Sequence, residues 1–341
     1  MRYIGGKSLL LEHISRCIAR YAPDARSVLD IFSGSAVVSH HLKGCGFQVI
    51  ANDFLYFCHV LARGTLPLNA PPAFDNLPCK DPLSFLNSLA PTEADTDTAR
   101  CFIYRHYAPH GACERRYFTP ENALKIDVVR QTIEGWREDG RLDDDAYHYL
   151  LAALIQAVPF VANITGTYGA YLKYWDKRAL NPLRLVPPPL VAGKRPLGVY
   201  NADYTALLDR ECDVLYADPP YNSREYLPNY HVLETIARYD NPTLHGVTGL
   251  RDYADQKSPF CKKATVAAAF ATLLRETRAR YVIISYNNEG LLPTEELQAL
   301  CAAHAVNHSF SLQEFAYRRY KNKIPNNAKG LKEQLYIVQR V

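Results

Sequence analysis

The sequence predicts an α/β fold in which a doubly wound, mostly parallel sheet with a late antiparallel addition is interrupted by a long, largely helical insert. Three observations carry that expectation. Short apolar, β-branched runs are each followed at once by a helical stretch, twice before residue 63, and successive βα units imply a parallel sheet. From 64 to 189 the rhythm stops, with prolines clustered at both ends. It resumes at residue 190 and closes in two strand-like segments joined by a long basic loop.

Taken in order, residues 8–21 place Leu10, Leu11, Ile14, Cys17, Ile18 and Tyr21 on one helical face behind a Ser8 cap. Residues 27–31 form a strand ending in the turn Phe32-Ser-Gly-Ser35, and 36–43 reads as a helix stopped by Gly44 and Gly46. A second strand, 48–51, closes on Asn52-Asp53 before a helical stretch from 54 to 63. Prolines at 67, 71, 72, 78, 82 and 91 cannot sit inside regular elements, which puts a domain boundary there. Helical patterns near 98–108, 121–138 and 143–158 follow, then an aromatic, glycine-rich stretch at 161–175, and Pro187, Pro188 and Pro189 end the insert. The expected division is 1–63 with 190–341 as one discontinuous domain, and 64–189 as the inserted one. In the second half, strands at 198–200, 213–217 and 281–285 alternate with helices after Asn229 and over 264–278. Segments 306–317 and 334–338 form the antiparallel pair.

A chain of 341 residues is long for one compact domain and short for three, which suits one large fold with an insertion. Hydrophobic residues at 48% and charged residues at 22% exclude a disordered or collagen-like chain. No apolar run approaches the ~20 residues that span a bilayer, and residues 1–7 lack a charged segment leading into an apolar one, so the expected location is the cytoplasm. Nine scattered cysteines without a Cys-x-x-Cys pair read as reduced, mostly buried thiols. The net charge of +4 permits a polyanionic partner without demanding one.

Chemistry concentrates at strand ends. The turn Asp30-Ile-Phe-Ser-Gly-Ser35 sets small residues before a helix N-terminus, where backbone approaches a ligand. It has Gly34 alone and not the three glycines of a dinucleotide site, so the ligand is smaller. Asp53, about twenty residues on, is positioned to accept hydrogen bonds from the hydroxyls of an adenosine ribose. Gly6-Lys7-Ser8 ends like a P-loop, but the position five before Gly6 is Met1 and no strand precedes it.

The most informative element is Asp218-Pro-Pro-Tyr221, directly after an apolar strand. Its prolines fix φ and remove two amide donors, so the loop presents carbonyls and a carboxylate beside an aromatic plane. If Asp218 and the Pro219 carbonyl each accept one hydrogen of a planar heteroaromatic amine, its nitrogen turns tetrahedral and its lone pair can meet an electrophile. Tyr221 then stacks on the ring, Pro220 stiffens the loop, and an aspartate at its ordinary pKa of ~3.9 is ionised at neutral pH.

Basic and aromatic residues alternate from Tyr317 onward, and Arg318, Arg319, Lys321 and Lys323 suit contact with a nucleic-acid backbone. In the insert, Asn163, Thr167 and Tyr168, with Arg100, Arg105, Arg115 and Arg116, are candidates for reading base edges. His106, His110 and Cys113 lack a fourth ligand at finger spacing, and no metal is expected.

With Arg2-Tyr-Ile-Gly-Gly-Lys7 first, then Asp30–Ser35, Asn52-Asp53, Asp203-Tyr204 and Asp218–Tyr221, the chain resembles the D12 class (alpha group) of N6-adenine DNA methyltransferases over its whole length. Ser35 departs from the glycine or alanine usual there, while 222–240 and 284–287 look closer to restriction-modification members than to Dam-type enzymes. The resemblance implies a Rossmann-like methyltransferase fold, with S-adenosylmethionine (SAM) as cofactor and double-stranded DNA as partner. By match, SAM would lie along Tyr3, Gly5, Gly6, Lys7, Asp30, Phe32, Ser33, Gly34, Ser35, Asp53, Phe54, Asp203, Tyr204 and Asp218. Lys7 would meet its methionine carboxylate or a DNA phosphate. The implied activity is methylation of N6 of a flipped-out adenine, paired functionally with a restriction endonuclease; the oligomeric state is open, with a monomer favoured. Transfer to cytosine N4 or to RNA, and DNA binding without turnover, are the alternatives.

Overall fold

The structure, a computed structural model, describes residues 3–91, 100–316 and 330–340. Its main sheet has seven strands: β1 (Ser27–Asp30), β2 (Gln48–Asn52), β3 (Gly198–Tyr200), β4 (Val214–Ala217), β7 (Tyr281–Asn287), β8 (Ser311–Ala316) and β9 (Lys332–Gln339). A small hairpin, β5 (Leu244–His245) and β6 (Leu250–Arg251), stands apart. The spatial order is β3-β2-β1-β4-β7-β9-β8; the first five are parallel, and β9 runs antiparallel to β7 and β8. This is the expected mixed α/β sheet. Val28, Leu29, Val214, Leu215, Val282 and Ile283 are fully buried, as strands covered on both faces require.

The first helices are α1 (Leu11–Tyr21), α2 (Val37–Gly44) and α3 (Tyr56–Arg63). Ser8 does not cap α1: the helix starts after Leu10, whose amide closes a turn on Lys7 O, and no side chain caps it. Glu234, far along the chain, caps α3 by accepting from the Tyr56 and Phe57 amides. In the insert lie α4 (Pro82–Ser88), α5 (Phe102–Tyr107), α6 (Pro120–Glu138) and α7 (Asp144–Ala157). Pro82 therefore does sit in a helix, at its first position behind the Asp81 cap, where the missing amide costs nothing. After the insert come α8 (Leu227–Arg238), α9 (Val266–Glu276) and α10 (Thr294–Ala303), the last unmarked by any capping side chain. Residues 306–308 are a 3₁₀ turn, so the strand expected over 306–317 starts only at Ser311.

The insert shares one core with helices α3 and α8, while the strand side chains pack in two further clusters on the faces of the sheet. Leu150, Leu154 and Ile155 of α7 pack with Phe57 and Leu61 of α3 and with Val232 and Ile236 of α8. Gly64 permits that approach, since a β-carbon there would meet His148 O at 2.3 Å. No cysteine pair forms a disulfide. Among the described residues no helix is long and apolar enough to cross a membrane.

Candidate active site

β2 and β4 flank β1 on opposite sides, and the chain leaves the three strands in different directions, a switch point that opens a crevice at their carboxyl ends. The cleft there holds about 590 Å³ of empty space, mouth included. Tyr3, Gly5, Gly6 and Lys7 form one wall; Asp30, Phe32, Ser33, Gly34, Ser35, Asp53, Phe54, Asp218 and Pro220 line the rest. The segment before α1 is held by α8: the Tyr3 ring stacks on Tyr230 (centroids 5.0 Å, planes 9° apart) and Tyr226 (5.8 Å), and Tyr230 Oη accepts from the Ile4 amide at 2.7 Å. The same ring presses on Gly34, where a β-carbon would lie 2.9 Å from Tyr3 Cε1. Gly34 also has φ of +51°, so both the space and the backbone favour glycine.

Carboxylates crowd the cleft. Asp53 ties the first turn to the second strand end: Oδ2 accepts from the Gly34 amide at 2.8 Å and Oδ1 from the Leu55 amide at 2.9 Å. Burial nevertheless raises its pKa to about 6. Asp30 accepts from Ser39 Oγ at 2.6 Å, and burial, helped by repulsion from Asp218 and Asp53, raises its pKa to about 7. Asp30 Oδ1 and Ser33 Oγ are buried with no hydrogen-bond partner. Unsatisfied polar atoms and displaced pKa values in one concave site mark where a polar ligand binds.

At the end of β4, Asp218 enters a buried cluster. Its Oδ1 accepts from Tyr221 Oη at 2.6 Å and lies 3.2 Å from Lys7 Nζ. Lys7 Nζ also bonds Tyr221 Oη and lies 3.4 Å from Glu333 Oε2 on β9. Tyr221 Oη is 3.4 Å from both Glu333 Oε2 and Ser285 Oγ, and its ring meets Tyr286 edge-on. The ordinary carboxylate pKa expected for Asp218 does not hold: burial raises it, and Lys7 with the Tyr221 hydroxyl opposes the rise. Nor is Lys7 placed for a DNA phosphate, being 4% exposed and enclosed by these partners.

Pro219 is buried beneath this loop, and Tyr221 stays half-buried beside the cleft. Asp203 is exposed and caps a 3₁₀ turn through the Thr205 amide, while Tyr204 is buried behind Phe32, so neither lines the cleft. Asn163 is a correction. It is fully buried, its amide donates to Leu172 O and Tyr174 O, and its carbonyl accepts from the Asp176 amide, so it holds the 163–176 loop together and offers nothing to a base. Tyr168 is likewise buried, whereas Thr167 is half-exposed on the same loop. The Arg115 guanidinium is committed to carbonyls at His106, Gly246 and Val247. Arg318, Arg319, Lys321 and Lys323 lie outside the described residues.

Reading by motif missed Glu333, Ser285, Tyr226 and Tyr230. The hints were that Tyr226, Tyr230 and Ser285 lie in the segments 222–240 and 284–287 that resemble restriction-modification members, and that Glu333 is the first acid after the basic run beginning at residue 317.

Comparison with known proteins agrees with this geometry. Residues 3–300 match the family described as D12 class N6 adenine-specific DNA methyltransferase. Over its full length the chain is 40% identical to the Type II methyltransferase M.FokI of Planomicrobium okeanokoites and 36% identical to the modification methylase StsI of Streptococcus sanguinis. It covers 53% and 52% of those proteins, about half their length. With the Type II methyltransferase M.NlaIII of Neisseria lactamica it shares 37% identity over all of this chain and 99% of the relative.

Proposed function

The chain belongs to the D12 class of N6-adenine-specific DNA methyltransferases, and from that premise we propose that it is the site-specific adenine methyltransferase of a restriction-modification system. The observation that carries this reading is Asp218, a carboxylate at the end of β4 directly beside the cleft made by the first two strand ends. SAM supplies an electrophilic methyl group on its sulfonium. The fit rests on the cleft's own chemistry: Asp30, Asp53 and Asp218 favour a cation, and Asp30 Oδ1 and Ser33 Oγ await partners. Asp53 would accept from the ribose hydroxyls, with Tyr3, Gly5, Gly6, Phe32, Gly34, Ser35 and Phe54 enclosing the remainder. Asp203 and Tyr204 would act from behind, through the shape of the loop carrying Phe32. Asp218 and the Pro219 carbonyl would accept the two amine hydrogens of a flipped-out adenine, with Tyr221 stacked on its ring.

We assign target recognition to the region 64–189, with Thr167 among the surface residues available for it. The enzyme would act as a monomer in the cytoplasm, with a cognate restriction endonuclease as its functional counterpart. Single-molecule methylation sequencing of DNA from cells expressing the chain is the test. N6-methyladenine at one short motif is expected; methylated cytosine, or no DNA methylation, would overturn the reading.

The basic loop is assigned to phosphates, since its composition, Lys and Arg interspersed with asparagines and with no acid before Glu333, suits a charged backbone better than base edges. Replacing Arg319, Lys321 and Lys323 by alanine should weaken cognate and non-cognate duplexes alike. The log-log salt slope should flatten by about 0.9 per lost contact, with the methylated motif unchanged. A relaxed motif at unchanged affinity would show instead that the loop reads bases.

A further inference from the structure

Glu333 has no part in the reading above, yet it is among the least exposed acids near the site, at 4%. The β7–β9 register sets it opposite Asn287, at the same end of the sheet as the Asp218 loop. Its Oε2 faces two groups at 3.4 Å, Lys7 Nζ and Tyr221 Oη, and both of these also bond Asp218 Oδ1. A buried carboxylate, Glu333, and a part-buried one, Asp218, thus share one ammonium, whose donors are directed to Asp218, Tyr221 and Glu333. Burying a second acid next to an already paired ion does not help folding, because desolvation offsets the Coulomb gain and an apolar side chain would serve as well. The arrangement does have an electrostatic consequence. Lys7 paired with Asp218 alone would cancel its charge, whereas Lys7 shared with Glu333 leaves the cluster with one negative charge in excess.

We propose that Glu333 is a positioning residue for methyl transfer: by holding Lys7 and the Tyr221 hydroxyl from below, it keeps Asp218 a strong acceptor for the target amine. The amine nitrogen gains positive charge as it takes the methyl group, and in a water-poor site an excess negative charge next to it lowers that barrier. The inference rests on Asp218 being the acceptor of that amine. The charged and titratable groups facing Glu333 are Lys7 from the N-terminal segment, Asp218 and Tyr221 from the loop after β4, and Tyr216 from β4 itself; Ser285 from β7 lies against the Tyr221 hydroxyl.

Burial, with repulsion from Asp218, raises the Glu333 pKa against the pull of Lys7, and because that repulsion is mutual, ionised Glu333 in turn disfavours the ionised form of Asp218. Glu333→Gln removes that repulsion, and Asp218 should then ionise at lower pH. In single-turnover assays the plateau rate should fall roughly 10-fold, less than the ~100-fold or more for a group that touches the reacting atoms, while the acid limb of the pH–rate profile moves to lower pH and SAM affinity stays unchanged. Glu333→Asp, which retains the charge, should leave the limb in place and recover part of the rate. This second variant carries the test if the glutamine variant does not fold, and a displaced limb in it would overturn the proposal. So would a folded Gln variant with wild-type rate and limb, or one that loses rate with the limb unmoved, which marks a merely structural residue. Asp218→Ala measured alongside separates the two ideas. If it turns over normally, the assignment of the acceptor fails; if it is inactive while Glu333→Gln is normal, only the role of Glu333 fails.

Discussion

Asp218→Ala is expected to lose methyl transfer by roughly 100- to 1000-fold, the scale for removing one preorganised electrostatic group, while duplex binding survives. The local structure should tolerate the change, because Lys7 and the Tyr221 hydroxyl both retain Glu333 as a partner. The assigned phosphate contacts lie on other elements, so a gel-shift titration should give the wild-type affinity while a radiolabelled transfer assay falls towards background. Turnover near wild type would remove Asp218, and with it the in-line mechanism at the end of β4, from the account.

Asp53→Ala should act on SAM. Charge-assisted hydrogen bonds to the ribose are worth roughly 1.5–3 kcal/mol, so calorimetry should show Kd rising about 10- to 150-fold. Truncation also strands the Gly34 and Leu55 amides, both buried, and each costs about 1–3 kcal/mol when left unpaired, so thermal stability should fall as well. Asp53→Asn, which keeps one acceptor, separates the two effects. The wild-type protein carries a further signature. Burial holds the Asp53 pKa at about 6, above its unfolded value, and ribose hydroxyls bind the ionised form better. SAM affinity should therefore rise with pH through about 6 and level off above it, whereas the asparagine variant loses that contribution. Affinity in Asp53→Ala equal to wild type would take Asp53 out of the site.

What the sequence determined by itself was local. Parallel strands covered on both faces are predominantly apolar, so 27–31, 48–51, 213–217 and 281–285 stand out, and their alternation with helices already implies the sheet. A loop that must present carbonyls needs prolines and a turn against an aromatic ring needs glycine, which is why Asp218–Tyr221 and Gly34 were legible before any partner was known. The tertiary structure decided everything that depends on who is opposite whom. Pro82 is an exception on the local side: read as a breaker, it opens a helix behind Asp81, a start signal its own neighbour carried. Asn163 looked like a reader of bases until burial turned its amide onto three backbone groups of its own loop. Glu333 carries no motif at all. Its place beneath Lys7 and Tyr221 follows from the antiparallel register of β9 on β7, and its effect on Asp218 arises only because burial removes the water that would otherwise screen the charges.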